Sequence, residues 1–173
     1  MFYQNQVMEK LIKMNYCNLY KGKLTSCHTQ AIFNGFFQNN SYDDYLLFEA
    51  LTTNAFGVKY IQNDSNRVLD SFLDFDLGID RALRILNIDF RIEYFNLNEF
   101  DIAFEMLKEW LKIDNVVIGP LNMEDLDYLY LPNLYKNLDH YLVVTDILDN
   151  ELSIIDSEGF VNIKIDKKTL FKS

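Results

Sequence analysis

Basic side chains are outnumbered in this 173-residue chain, and histidine, cysteine, glycine and proline are all scarce. It has 16 lysine and arginine residues against 26 acidic ones, with two histidines, two cysteines, six glycines and two prolines. The net charge of −10 disfavours nucleic-acid binding, because phosphate recognition needs a basic surface. The histidines and cysteines form no zinc-type spacing, so we expect no metal and no other cofactor.

Long apolar segments are also missing from the sequence. The uncharged apolar runs are far shorter than a membrane span, and residues 1–6 lack the basic start and apolar middle of a signal peptide. We therefore expect a cytoplasmic protein that does not associate with membranes. Two thiols in a reducing cytoplasm make a poor disulfide framework, so we expect Cys17 and Cys27 to be free and Cys17 to serve packing.

Hydrophobic side chains are plentiful, at 49% of the chain with 15% aromatic. Such a composition supports a packed core, and the lack of a repeat or flexible linker predicts a single domain over residues 1–173. The order is helices first and mostly antiparallel strands last, an α+β fold. Predicted helices cover residues 2–14, 76–87 and 98–113 with one more after Ser41, and predicted strands cover 88–95, 115–119, 139–147, 151–156 and 160–165.

Cys27 lies where a helix is predicted to begin. A polar run ends at Ser26, and apolar residues at helical spacing follow from Ala31. At a helix start, unpaired backbone N–H groups and the positive end of the helix dipole favour the thiolate, the nucleophilic form of cysteine. The position therefore predicts an activated thiol, with the backbone N–H groups of Cys27 and His28 as oxyanion donors.

A nucleophilic cysteine needs a base, and the chain offers only His28 and His140. Consecutive helical residues point about 100° apart, so His28 should diverge from the sulfur beside it. His140 opens a buried strand, and the strand returning from the turn at Asp149 ends at Asp156. Asp156 can therefore reach His140, where a carboxylate would fix the imidazole tautomer.

Each of these residues also has a common structural explanation. A lone helix cysteine usually packs in a core, and a strand-edge histidine is usually a hydrogen-bonded core residue. An aspartate after a strand is often only a turn former. Together, on a helix start, a strand and the following strand, the three residues favour a Cys27–His140–Asp156 triad.

Four stretches of the chain resemble a known family. They are residues 27–34, 47–60, 116–122 and 139–156. From Cys27 onward the chain resembles papain-like cysteine proteases in their bacterial, double-glycine-peptidase-related form, and most closely the N-terminal domain of the butirosin-type acyltransferases. It is also similar to the papain-like, amide-forming enzymes of closthioamide assembly. The resemblance implies a helical half packed on a C-terminal antiparallel sheet, with the family's nucleophile, base and orienting carboxylate on Cys27, His140 and Asp156.

The sequence departs from the family pattern at three places. The glycine-rich loop typical of the family is here residues 52–57, with one glycine, and Asn122 stands where relatives tend to carry aspartate. Papain-like peptidases place an oxyanion-forming glutamine about six residues before the nucleophile, where this chain has Lys21. The missing glutamine argues against plain peptide hydrolysis.

The resemblance implies an acyltransferase of secondary-metabolite biosynthesis. An acyl group would move from a carrier-protein thioester through Cys27 to a small amine, forming an amide. The acidic charge would attract a cationic amine but repel an acidic carrier, unless lysines make a local basic patch. The candidates for that patch are Lys10, Lys13, Lys21 and Lys23, and the expected substrate-binding residues are Asn54, Asn122, Asp127 and Tyr128.

Two other functions stay open from the sequence. A cysteine peptidase or thioesterase would use the same triad with water as the acyl acceptor. A binding module that keeps the fold without activity would need no reactive thiol, and its Cys27 would alkylate no faster than an ordinary thiol.

Overall fold

The computed structural model of the chain describes residues 2–5, 26–37, 42–52, 58–62, 67–71, 75–129, 138–157 and 160–173. It divides into two compact units, one of Met1–Asn39 with Phe90–Ser173 and the other of Asn40–Asp89. The single domain over 1–173 stays a prediction. Within the described ranges, every helix is too short or too polar to cross a membrane.

Helices and strands are interspersed along the described chain, with short 3-10 turns at Leu97–Glu99 and Met123–Asp125. In chain order the elements are β1 (Phe2–Asn5), α1 (Cys27–Phe36), α2 (Tyr42–Thr52), β2 (Val58–Gln62), β3 (Arg67–Ser71), α3 (Phe75–Ile85), β4 (Phe90–Glu93), α4 (Phe100–Leu111), β5 (Val116–Asn122), β6 (Asp139–Leu148), β7 (Glu151–Asp156), β8 (Val161–Asp166) and α5 (Lys167–Lys172).

The first unit contains a six-stranded sheet in the order β4-β1-β5-β6-β7-β8. Every neighbouring pair is antiparallel. Helices and an antiparallel sheet confirm the predicted α+β class. The β6–β7 hairpin turns at Asp149, a non-glycine residue in the left-handed region with φ of 57°, and its register sets Leu142 opposite Asp156.

The predicted helix over residues 2–14 is wrong at its start. Residues Phe2–Asn5 form β1, which lies between β4 and β5 and pairs with both. Residues 6–14 lie outside the described part of the chain. These pairings join β1 to strands about ninety or more positions away, so local apolar spacing carries no sign of them.

Helices cover both faces of the sheet in the first unit. Gly35 of α1 approaches the face that carries Val117 and Val143, where an added Cβ would lie 3.3 Å from Val117. Because strand side chains alternate, the residues on either side of these valines point to the opposite face. There Val116, Ile118, Leu142 and Val144 share one buried core with Phe104, Leu107 and Trp110 of α4.

The second unit joins α2 and α3 with an antiparallel β2–β3 hairpin that the sequence analysis did not predict. Tyr45 and Phe48 of α2 are fully buried, as are Ile79 and Leu83 of α3. These buried residues recur at helical spacing, which is the pattern that predicted α3.

Candidate active site

Cys27 is the first residue of α1, as predicted. The preceding residue, Ser26, is the N-cap, and its Oγ accepts a hydrogen bond from the backbone N–H of Thr29 at 3.2 Å. This cap fixes where the helix begins and so fixes the thiol at the positive end of the helix dipole. The Cys27 side chain is half-buried, which leaves the sulfur open to a substrate.

The sulfur lies beside the start of β6. Cys27 Sγ is 3.7 Å from the carbonyl oxygen of Asp139, the first residue of that strand. The next residue is His140. The structure therefore brings the helix start and the strand start together across more than a hundred positions of sequence.

His140 and Asp156 form a buried pair. The Nε2 atom of His140 lies 3.0 Å from Oδ2 of Asp156, and their side chains are 1% and 0% exposed. Adjacent strands β6 and β7 carry them, so the geometry of the pair depends on backbone pairing rather than on a loop. A carboxylate on Nε2 orients the ring and stabilises its charged form.

Two opposing effects set the proton affinity of His140. Burial lowers its pKa, but the hydrogen bond with Asp156, the Cys27 thiol and the charges of both partners raise the pKa to about 9. At neutral pH the His140 ring is therefore the positively charged imidazolium. An imidazolium beside a thiol can stabilise a thiolate and can later supply a proton.

The Cys27 sulfur lies outside hydrogen-bond geometry with the His140 ring. Asp156 occupies Nε2 of His140, and Nδ1 has no partner in hydrogen-bond geometry among the described residues. The Cys27 thiol contributes to the raised pKa of His140.

Tyr128 also binds the triad carboxylate. Its hydroxyl donates a hydrogen bond to Oδ2 of Asp156, and its ring packs edge-on to Phe160 at 6.2 Å between centroids. Burial, and then the charge of Asp156, raise the pKa of Tyr128 above the ordinary value. We predicted Tyr128 as a substrate contact, and the structure places its hydroxyl on Asp156.

His28 lies on α1, and its buried ring is poorly suited to acid–base catalysis. It is 3% exposed and stacks on Tyr141, with ring centroids 3.7 Å apart and planes 6° apart. Burial lowers the pKa of His28 to about 3, so the ring is neutral. This placement agrees with the choice of His140 as base, while the oxyanion role of the His28 backbone stays a prediction.

The remaining predicted substrate residues differ in their surroundings. The Asn122 amide donates to carboxylates of Glu124 and Asp125 at 3.3 and 3.1 Å, and Asn122 is paired with Asp139 in the β5–β6 register. Asp127 is exposed. Asn54, Cys17 and the four lysines of the predicted basic patch lie outside the described residues.

Gly119 and Tyr141 were not predicted as site residues from the sequence. Gly119 has φ of 155° and precedes Pro120 through a cis peptide bond. A Cβ there would lie 2.7 Å from Cγ of Tyr141 and 2.8 Å from the carbonyl oxygen of His140. Glycine therefore lets β5 approach the ring that stacks on His28. The adjacent Gly-Pro pair was the available signal, since such pairs mark unusual backbone.

Comparison with known proteins identifies a partial relative. No family model matches the chain, and no solved structure matches it. The uncharacterized protein YobF of Bacillus subtilis (strain 168) is 36% identical over 93 residues. The matched region is 52% of this chain and 29% of that protein, so the chain matches less than a third of its relative's length.

Proposed function

We propose that the protein is a cysteine-dependent acyltransferase that moves an acyl group from a carrier-protein thioester to a small amine. The observation that carries the proposal is the arrangement of three side chains. A half-buried thiol at a helix start lies against the carbonyl of Asp139, the residue before a histidine that is itself held by a buried aspartate. Nucleophilic catalysis by cysteine uses a thiol, a histidine as its base and a carboxylate that orients the histidine.

The first half-reaction acylates Cys27. The thiolate adds to the thioester carbonyl carbon, the C–S bond to the carrier breaks, and the carrier leaves as a thiol with the proton from His140. The backbone N–H groups of Cys27 and His28, in the first turn of α1, are the proposed donors to the oxyanion. Asp156 keeps the imidazole oriented during this proton transfer.

The second half-reaction releases the amide. Neutral His140 takes a proton from the amine as its nitrogen attacks the acyl carbon, and the bond to Cys27 Sγ then breaks. The thiolate and imidazolium are regenerated, so the cycle consumes one thioester and one amine. A thioester is an activated acyl donor, which suits a site with Lys21 at the position of the family glutamine.

Local acidity favours an amine as the acceptor. Asp139 is exposed, and its backbone carbonyl lies against the Cys27 sulfur. Asp139 is paired with Asn122, which binds Glu124 and Asp125. Carboxylates at this edge of the site would raise the local concentration of a cation.

In keeping with the resemblance, we propose that the fold is papain-like.

Intact-protein mass after incubation with an acyl thioester tests the proposal. We expect wild type to gain the mass of one acyl group and Cys27→Ala to gain none. Cys27→Ser is the matched control, because it keeps a side chain of similar size with a far weaker nucleophile. Added diamine should then discharge the acyl-enzyme with amide as the product.

Three outcomes would contradict this proposal at different levels. Free acid without amide, at every diamine concentration, would assign hydrolysis with the same triad. Acylation that persists in Cys27→Ala would show that the Cys27 thiol is not the nucleophile. No acylation of wild type, together with alkylation of Cys27 no faster than an ordinary thiol, would assign a binding module.

A further inference from the structure

Asp156 Oδ2 is shared between two donors. It lies 3.0 Å from Nε2 of His140 and also accepts the hydrogen bond of the Tyr128 hydroxyl. The carboxylate is fully buried, so these contacts rather than bulk water stabilise its charge. Tyr128 therefore contacts the group that orients the base.

We propose that Tyr128 is a positioning residue of the triad, whose hydroxyl holds the Asp156 carboxylate in place and takes up part of its negative charge. This inference deepens the proposed acyl transfer, and its catalytic consequence rests on that function. The hydrogen-bond geometry does not depend on the reaction.

Sharing the charge of Asp156 has a predictable effect on His140. A carboxylate that already accepts a hydrogen bond from a phenol attracts a neighbouring imidazolium less strongly, because part of its charge is offset. The hydroxyl of Tyr128 thus moderates how tightly Asp156 keeps the proton on His140. That proton must leave His140 in one half-reaction and return in the other. A weaker hold of Asp156 on the proton therefore favours turnover.

The phenol is suited to act as a permanent donor. Burial and the nearby charge of Asp156 raise the pKa of Tyr128, so the hydroxyl stays protonated throughout the working pH range. The edge-on contact with Phe160 supports the ring from the side. Replacing Tyr128 with phenylalanine would keep this ring packing and remove only the hydroxyl.

The decisive measurement is an NMR titration of the histidines in Tyr128→Phe. The chain holds two histidines, and His28→Gln assigns their signals. We expect the pKa of His140 to rise by about one unit when the carboxylate charge is no longer shared. A general loss of packing would not move the pKa of His140 in this direction, since exposure to water would return it toward 6.5.

Tyr45→Phe is the matched control. The Tyr45 hydroxyl donates to the Glu49 carboxylate at 3.2 Å within α2, so this variant also removes a phenol–carboxylate hydrogen bond. We expect it to leave the titration of His140 unchanged. Acylation by a thioester probe should be about tenfold slower in Tyr128→Phe and unchanged in Tyr45→Phe.

The two proposals fail separately. A His140 midpoint equal to that of wild type in Tyr128→Phe would overturn the role of Tyr128, whatever the acylation rate. A wild type that is never acylated would overturn the function, while the titration still decides the role of Tyr128. If Tyr128→Phe does not fold, the Cζ carbon signal of Tyr128 in wild type should titrate with the midpoint of His140, and a flat signal would overturn the inference.

Discussion

The imidazole of His28 stacks on the ring of Tyr141, with centroids 3.7 Å apart and planes 6° apart. One ring follows the proposed nucleophile in sequence, and the other follows the proposed base. The stack therefore ties the start of α1 to the start of β6. We infer that it fixes the separation between the Cys27 sulfur and the His140 imidazole.

Gly119→Ala should disturb this stack. The new Cβ would lie 2.7 Å from Cγ of Tyr141, closer than real Cβ atoms approach, and the backbone at φ of 155° disfavours a side chain. We expect about 2 kcal/mol of lost unfolding free energy or more. Slower acylation should accompany it, because the Tyr141 ring must move. Urea denaturation and acylation kinetics measure the two effects.

Gly35→Ala provides the control for that substitution. Its Cβ would lie 3.3 Å from Val117 and 3.4 Å from Val143, a tight contact at ordinary helical backbone. The gain in helix propensity is worth about 1 kcal/mol and offsets the crowding. We expect little net change in stability or acylation. Equal losses in both glycine variants would show that the Tyr141 ring has no special role.

His28→Gln should change how stability depends on pH. Burial depresses the pKa of folded His28 to about 3, while the unfolded chain binds the proton near 6.5. Unfolding is therefore favoured as pH falls below 6.5, and stability is lost progressively toward pH 3. Between pH 7 and pH 5 this amounts to about 2 kcal/mol.

The comparison of wild type with His28→Gln isolates that contribution. At pH 7 the variant should be less stable, because it loses the ring stack on Tyr141. The difference in unfolding free energy should narrow by about 2 kcal/mol when urea denaturation is repeated at pH 5. A difference that stays constant between the two pH values would show that His28 is not held neutral by burial.

Local signals predicted much of the proposed site. The Ser26 cap and the apolar spacing after it located the helix start, and alternation with a turn at Asp149 located the β6–β7 hairpin. That hairpin brings Asp156 within reach of His140. Helix caps and hairpins are set by residues close together in the sequence, so they can be predicted from it.

Contacts between distant segments were not predictable in the same way. The contact of Tyr128 with Asp156 arises from an irregular segment whose path no periodicity describes. The role of Gly119 depends on a ring of the adjacent strand, and β1 depends on two partners far along the chain. Such features follow from tertiary packing, which overrides local preference.

Asp156→Asn should separate charge from shape in the triad. The amide keeps the size of the carboxylate but removes the charge that raises the pKa of His140. The midpoint of His140 should fall below 9, and acylation at pH 7 should slow by about 100-fold or more. Asp146→Asn removes the same charge toward the other end of β6 and should change neither value. An unaltered midpoint in Asp156→Asn would contradict the proposed pair.

Removal of the sulfur tests the link between Cys27 and His140 without any substrate. The thiol is one of the partners that raise the pKa of His140 to about 9. In Cys27→Ala the midpoint of His140 should therefore fall, though less than in Asp156→Asn. Wild-type acylation should decline as pH rises through about 9, where the imidazolium is lost.

Folding stability should share this alkaline limit. The pKa of folded His140 lies above its unfolded value of 6.5, so its contribution to stability is complete below pH 6.5 and is lost as pH rises through about 9. Because Cys27→Ala lowers the folded pKa, its alkaline loss should be smaller than in wild type and should be complete at a lower pH. Identical histidine midpoints in the two proteins would mean that sulfur and imidazole do not interact, and the proposed nucleophile would then lack its base.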